Sequence, residues 1–120
     1  MTSSLTVVGL GYVGLPMALE ACRVGMRVSG LDSDPSVASG LTAGLSHVDD
    51  IDSTDIAEML TLGFNATTDP GCIGDSDVII ICVPTPLDKD RNPDLAAVKE
   101  AAITVAEHLQ PGSLMCWNQP

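Results

Sequence analysis

The chain has 120 residues, 45% of them apolar, which is enough for one domain with a buried core and too apolar for a disordered segment. A single Phe64, Tyr12 and Trp117 exclude a nucleic-acid surface built on stacked aromatics. A net charge of −11 sets the chain against nucleic-acid phosphates and anionic membranes, and no apolar run approaches the roughly 18 residues that cross a bilayer.

The N-terminus has no basic stretch and meets a glycine turn at once, so no signal peptide is expected. Cys22, Cys72, Cys82 and Cys116 show no C-x-x-C spacing. Reduced thiols, a cytoplasmic location and no metal site are the expectation.

In chain order, Leu5 to Val8 reads as a β-strand ending in glycine. Pro16 to Val24 has helical composition, with Gly25 as its C-cap. Arg27 to Leu31 reads as a second strand closed by Asp32. Asp34-Pro35 starts a helix that runs to about Gly44. Ser46 to Ser53 reads as an acidic loop, and Thr54 to Leu62 as a short helix capped by Thr54 or Asp55. Phe64 to Thr67 is a weak third strand.

Asp77 to Val83 is the strongest strand of the chain. Its unbroken β-branched run suits a parallel strand covered on both faces. Pro84 and Pro86 stop it. Asp94 caps a predicted helix from Leu95 to Leu109, whose apolar residues recur at helical spacing. Pro111-Gly112 is a turn, and Ser113 to Trp117 begins a fifth strand. The alternation predicts a parallel sheet with helices on both faces and right-handed crossovers.

The main chemical signal is Gly9-Leu10-Gly11-Tyr12-Val13-Gly14, which fits G-x-G-x-x-G. A strand precedes it, a helix follows it, and Asp32 lies 18 residues beyond Gly14 at the end of the second strand. Gly9 allows the turn, Gly11 lets backbone approach a diphosphate, and Gly14 lets the helix pack on the sheet. The helix start binds the anion through N–H groups and its positive dipole end. Asp32 accepts from ribose hydroxyls and repels a 2′-phosphate, which favours NAD over NADP. The fold class expected is therefore α/β, a doubly wound parallel sheet of the Rossmann type, broken off after about the fifth strand. The alternatives are a glycine turn that holds no dinucleotide, and Asp32 serving only as a helix cap, a task for which Asp34 is better placed.

Val83-Pro84-Thr85-Pro86-Leu87 follows the strongest strand. At the carboxyl end of a strand near the switch point it faces the glycine loop. Two prolines stiffen it and Thr85 offers a hydroxyl, so it reads either as a cofactor contact or as a stiff surface loop. Lys89 and Arg91 read as part of a solvated charged connection, with a substrate or partner contact as the lesser alternative. His47 and His108 read as solvated, His108 with a favourable helix-dipole contact. Cys22 and Cys82 read as buried packing residues.

These residues together carry a family resemblance. Gly9-Leu10-Gly11-Tyr12-Val13-Gly14-Leu15-Pro16, Gly30-Leu31-Asp32 and Val83-Pro84-Thr85-Pro86 resemble the N-terminal domain of the UDP-glucose/GDP-mannose dehydrogenases. Ala66-Thr67-Thr68-Asp69 and the stretch from Pro86 to Leu95 are most similar to the branch that oxidises UDP-N-acetylglucosamine or UDP-N-acetylmannosamine. The resemblance covers about residues 5 to 114. It implies NAD-dependent oxidation of the C6 alcohol of a UDP-sugar to the uronate, in polysaccharide biosynthesis. It also implies a nucleotide-sugar partner and a homodimer formed through a region this chain lacks.

Carried over by position, Tyr12 and Val13 lie along the diphosphate and ribose, Asp32 binds the adenosine ribose, and Thr85 contacts the cofactor. Many members carry Lys or Arg soon after that Asp, where this chain reads Ser33-Asp34-Pro35-Ser36. The family's nucleophilic cysteine and helper lysine belong to later segments, so no catalytic residue is expected here and the fragment alone is expected to be inactive. Where the family has Glu-Ser-Thr on the fifth strand, this chain reads Met115-Cys116-Trp117-Asn118-Gln119-Pro120. The codons ATG-TGC-TGG-AAT-CAA-CCN, shifted by two bases, read Val-Leu-Glu-Ser-Thr, so residues 115–120 read as a frameshifted tail. A non-catalytic dinucleotide-binding module is the alternative function. A short-chain or 2-hydroxyacid dehydrogenase is disfavoured, because neither a Tyr-x-x-x-Lys pair nor a His/Asp dyad is present.

Overall fold

A computed structural model describes residues 3–49, 51–83, 89–91, 95–109, 112 and 114–117. The order is β1 (Ser4–Val8), α1 (Gly14–Arg23), β2 (Arg27–Leu31), α2 (Pro35–Thr42), α3 (Ser53–Thr61), β3 (Asn65–Thr67), a 3₁₀ helix (Pro70–Asp75), β4 (Val78–Ile81), α4 (Ala96–His108) and β5 (Leu114–Trp117). The five strands form one sheet in the order β3-β2-β1-β4-β5, and all four pairings are parallel. That is the doubly wound order, with the switch point between β1 and β4.

Alternation along β1 explains the two layers. Leu5 and Val7 face a core shared with Leu15, Leu19, Ile56 and Met59 of α1 and α3. Val8 faces a second core with Ile79 and Ile81 of β4, Ala101 and Val105 of α4, and Ile73 of the 3₁₀ helix. Successive strand side chains point to opposite faces, so a strand buried on both sides must be apolar throughout. Thr6 is the exception and is fully buried, its hydroxyl hydrogen-bonded to that of Ser76.

The register sets where the loops emerge. Val8 pairs with Leu31 of β2 and with Ile81 of β4, so three strands end level with one another. The glycine loop, Asp32 and the Cys82-Val83 segment leave the sheet side by side.

Most element expectations hold, and β2 has the expected bounds. Asp34 caps α2, accepting from the Ser36 N–H at 2.9 Å, which leaves Asp32 to other partners. The differences are local. The cap of α3 is Asp52, not Thr54 or Asp55. Its carboxylate accepts from the Asp55 N–H at 2.9 Å, while Asp55 reaches back to the Asp52 N–H at 3.2 Å, closing a capping box. Strand β4 is shorter than expected at both ends: Asp77 turns its carboxylate to the Ser4 N–H at 3.0 Å, and Cys82 and Val83 lie beyond its last residue, Ile81. Helix α4 starts at Ala96, its N-cap Leu95 making no side-chain cap bond, and Asp94 lies outside the described residues.

The acidic loop before α3 is not simply solvated. Val48 and Ile51 are 4% and 5% exposed, and burying such side chains stabilises by about 1.5–3 kcal/mol each. They tie the loop to the first core. On the surface, Arg23 of α1 reaches Glu58 at 3.0 Å, and Glu20 and Asp55 at 3.3 Å. The exposed cluster joins α1 to α3 and holds the guanidinium above its ordinary pKa, chiefly through the Glu58 hydrogen bond.

Candidate functional site

Gly9 has φ +97°, and a Cβ there would stand 2.9 Å from the Cys82 carbonyl oxygen. The turn between β1 and α1 therefore needs a residue that tolerates the left-handed region beside a neighbouring backbone. Gly14 is required by approach alone: a Cβ there would lie 1.8 Å from the Gly9 carbonyl oxygen. Gly11 differs from both. A Cβ there would meet nothing within 4 Å, and its φ is not left-handed. Nothing among the described residues asks for glycine at Gly11.

Helix α1 begins just beyond. Its N-cap, Val13, makes no side-chain cap bond, and the first turn holds no acidic residue. The first N–H groups of an α-helix have no partner within the helix. With the dipole they leave a site suited to an anion.

Asp32 is half-buried at the end of β2. Its Oδ2 accepts from the Leu10 N–H at 3.0 Å and its Oδ1 from the Asp34 N–H at 3.0 Å. The carboxylate thus anchors the glycine loop while keeping accepting capacity toward the cavity. Asp34 is held ionised below its usual pKa, mainly by the Ser36 hydroxyl and N–H.

A cavity of about 620 Å³ opens at these strand ends. Of the expected site residues, Gly9, Leu10, Gly11, Asp32 and Val83 line it. Tyr12 stands 75% exposed, Val13 packs partly on the first core, and Gly14 begins the helix. Pro84 and Thr85 lie outside the described residues.

The far wall was not foreseen. It comes from α4, through Ala97, Glu100, Ala101 and Thr104. Their i, i+3, i+4, i+7 spacing is a legible signal of one helix face. His47 also lines the cavity, and instead of being merely solvated it hydrogen-bonds the Leu10 carbonyl through Nε2. His108 bonds the Thr104 carbonyl through Nδ1 at 2.8 Å. Cys22 and Cys82 are buried as expected, and burial pushes the Cys22 thiol up to about 11.

The donor set fits a dinucleotide. Backbone N–H groups at an uncapped helix start suit a diphosphate, and the gap over Gly11 leaves room for it. A carboxylate at the end of β2 suits a ribose diol, and no Lys or Arg lines the cavity among the described residues. No group of three metal-ligating side chains occurs among the described residues. No helix there is long and apolar enough to cross a membrane.

Sheet order, glycine turn and carboxylate together define the Rossmann class of dinucleotide-binding domains. A family profile described as the UDP-glucose/GDP-mannose dehydrogenase family, NAD binding domain, matches residues 3–118. The chain belongs to that family, and NAD is the cofactor of this domain.

Among its relatives is the UDP-N-acetyl-D-mannosamine dehydrogenase of Pyrococcus horikoshii. It is 39% identical over 114 residues, a match covering 92% of this chain and 27% of that protein. The UDP-N-acetyl-D-glucosamine 6-dehydrogenase of Pseudomonas aeruginosa is 30% identical, across 95% of this chain and 26% of that protein. The solved P. horikoshii structure superposes with TM-score 0.90 at 36% identity, covering 97% of this chain and 28% of the other. The UDP-N-acetyl-mannosamine dehydrogenase of S. aureus gives TM-score 0.88 at 32% identity, covering 98% and 29%. The chain thus spans little more than a quarter of the length of the relatives it matches.

Proposed function

We propose that this chain is the NAD-binding part of a nucleotide-sugar 6-dehydrogenase that oxidises the C6 alcohol of a UDP-N-acetylhexosamine to the uronate. The observation that carries the substrate class is the 39% identity to a UDP-N-acetyl-D-mannosamine dehydrogenase across 92% of this chain. Bound NAD supplies a hydride acceptor; this chain supplies its seat.

In this reading the N–H groups around Tyr12, Val13 and Gly14 hold the diphosphate, and Gly11 keeps side-chain atoms out of its path. Asp32 accepts from the adenosine ribose hydroxyls, and its charge rejects a 2′-phosphate. Val83 contacts the cofactor from just beyond β4, Pro84 and Thr85 share that task by the family resemblance, and Leu10 and Gly9 shape the floor. Residues 1–120 form an incomplete NAD-binding domain, with 115–120 as a frameshifted tail of which Met115 to Trp117 belong to β5. The chain itself turns over no sugar. The nucleotide-sugar substrate, the cytoplasmic setting and a homodimer belong to the longer enzyme.

Calorimetric titration of the purified chain with NAD, with NADP and an Asp32→Ala variant as controls, tests the reading. Saturable NAD binding, weaker for NADP and lost in Asp32→Ala, is the expected result. A folded chain that binds no NAD overturns it. For the tail, the source DNA decides: codons other than TGC, AAT and CAA at Cys116, Asn118 and Gln119 remove the frameshift reading.

A further inference from the structure

Leu10 stands between the first two glycines of the loop, and both of its backbone polar groups are held by distant side chains. Its N–H donates to Asp32 Oδ2 at 3.0 Å, and its carbonyl accepts from His47 Nε2. Asp32 arrives from the end of β2. His47 arrives from the segment between α2 and α3, 37 residues from Leu10 in sequence. A carbonyl oxygen only accepts, so Nε2 carries the proton. The imidazole is itself exposed, so packing does not hold it in place; the buried Val48 next to it anchors its segment.

We infer that His47 is a positioning residue for the dinucleotide, its Nε2–H holding the Leu10 carbonyl so that the Leu10–Gly11 peptide presents its N–H on the opposite side. The inference rests on the NAD reading above. The geometry follows from the peptide unit: C=O and N–H point opposite ways across a trans bond, and no peptide bond here is cis. Glycine on both sides of Leu10 leaves this segment more backbone freedom than other flanking residues would. Two outside anchors, a carboxylate on the N–H and an imidazole on the carbonyl, remove that freedom before a ligand arrives. The cavity lining carries no Lys or Arg among the described residues, so anion affinity there depends on how well backbone N–H groups converge.

The test compares wild-type chain with His47→Leu and His47→Gln, after melts confirm that each is folded. The glutamine amide can donate at similar reach; leucine cannot. Calorimetry should show NAD binding weakened about tenfold in His47→Leu and recovered to within about threefold in His47→Gln, the scale of one hydrogen bond. Adenosine, followed by saturation-transfer NMR, has no phosphate to sense the loop and should bind all three alike. Equal NAD affinity in wild type and His47→Leu overturns the inference. So does an equal loss for NAD and adenosine without rescue by glutamine, which marks a general structural role. A folded wild-type chain that binds no NAD overturns the NAD reading, and this inference with it. Long-range ¹⁵N NMR of the wild-type imidazole needs no variant: the Nε2–H tautomer is expected, and the Nδ1–H tautomer overturns the inference.

Discussion

Replacing Gly14 by alanine puts a methyl group into occupied space. The new Cβ would stand 1.8 Å from the Gly9 carbonyl oxygen and 3.2 Å from Cγ1 of Val7. Neither neighbour moves easily. The Gly9 N–H is tied to the Leu31 carbonyl at 2.8 Å, and Val7 is fully buried. Relief requires α1 to draw back from the sheet by about 1.5 Å, and overpacking of this kind costs about 1–3 kcal/mol. The upper end applies, because α1 buries Leu15, Ala18, Leu19 and Cys22 on the face that would lift. The better helix propensity of alanine offsets less than about 1 kcal/mol. A net loss of about 2 kcal/mol lowers the melting temperature of a domain this size by about 8 °C.

Gly11→Ala is the matched control. Its Cβ meets nothing within 4 Å and its φ is not left-handed, so the variant should melt with the parent. In the proposed site the same methyl stands in the way of the diphosphate, and NAD affinity should fall at least about tenfold. Circular-dichroism melts and calorimetric titration of both variants separate the two effects. A Gly14→Ala melt within about 2 °C of the parent, or a Gly11→Ala variant destabilised as much as Gly14→Ala, refutes the reasoning.

Asp32→Asn keeps a hydrogen-bond acceptor but removes the charge, so NAD affinity should fall about 10- to 30-fold and the preference over NADP should narrow, both read by calorimetry. Asp52→Ala removes the carboxylate that accepts from the Asp55 N–H, while the Asp52 backbone N–H can still donate to Asp55, and should cost about 1 kcal/mol in urea denaturation. Burial, with help from Glu58, raises the Cys22 thiol from 9.0 to about 11 in the folded chain. The unfolded chain loses that proton first, so this contribution is intact below pH 9.0 and is lost as pH rises toward 11. The urea midpoint should decline over that alkaline range, and Cys22→Ala should flatten the decline.

The fold was legible where one element carries its own instructions. The β-branched run at Val78–Ile81 and the Asp34-Pro35 start can each be read without knowing what packs on them. The glycine loop and Asp32 were legible because backbone approach to an anion demands glycine at fixed spacing. The cap of α3 was missed because Asp49, Asp50, Asp52 and Asp55 all compete for one helix start, and only the extended backbone at Asp52, just before the helix, decides. The 3₁₀ helix was missed because Pro-Gly-Cys-Ile-Gly-Asp has no periodicity; its one deeply buried side chain, Ile73, joins a core built by α4 and β4. The position of His47 leaves no trace in sequence, since its partner is a main-chain carbonyl and every residue has one.

A cavity with no cation among its described lining residues, in a strongly acidic domain, has a kinetic consequence. The attraction that holds a dinucleotide there acts only at hydrogen-bond range, through N–H groups that reach only a ligand already docked. The repulsion from a net charge of −11 acts at long range, on an anion still diffusing in. Added salt shortens the reach of the second, to about 10 Å at 0.1 M, and scarcely touches the first. Capture therefore quickens as ionic strength rises while escape keeps its pace, the reverse of what a lysine-lined phosphate site would show.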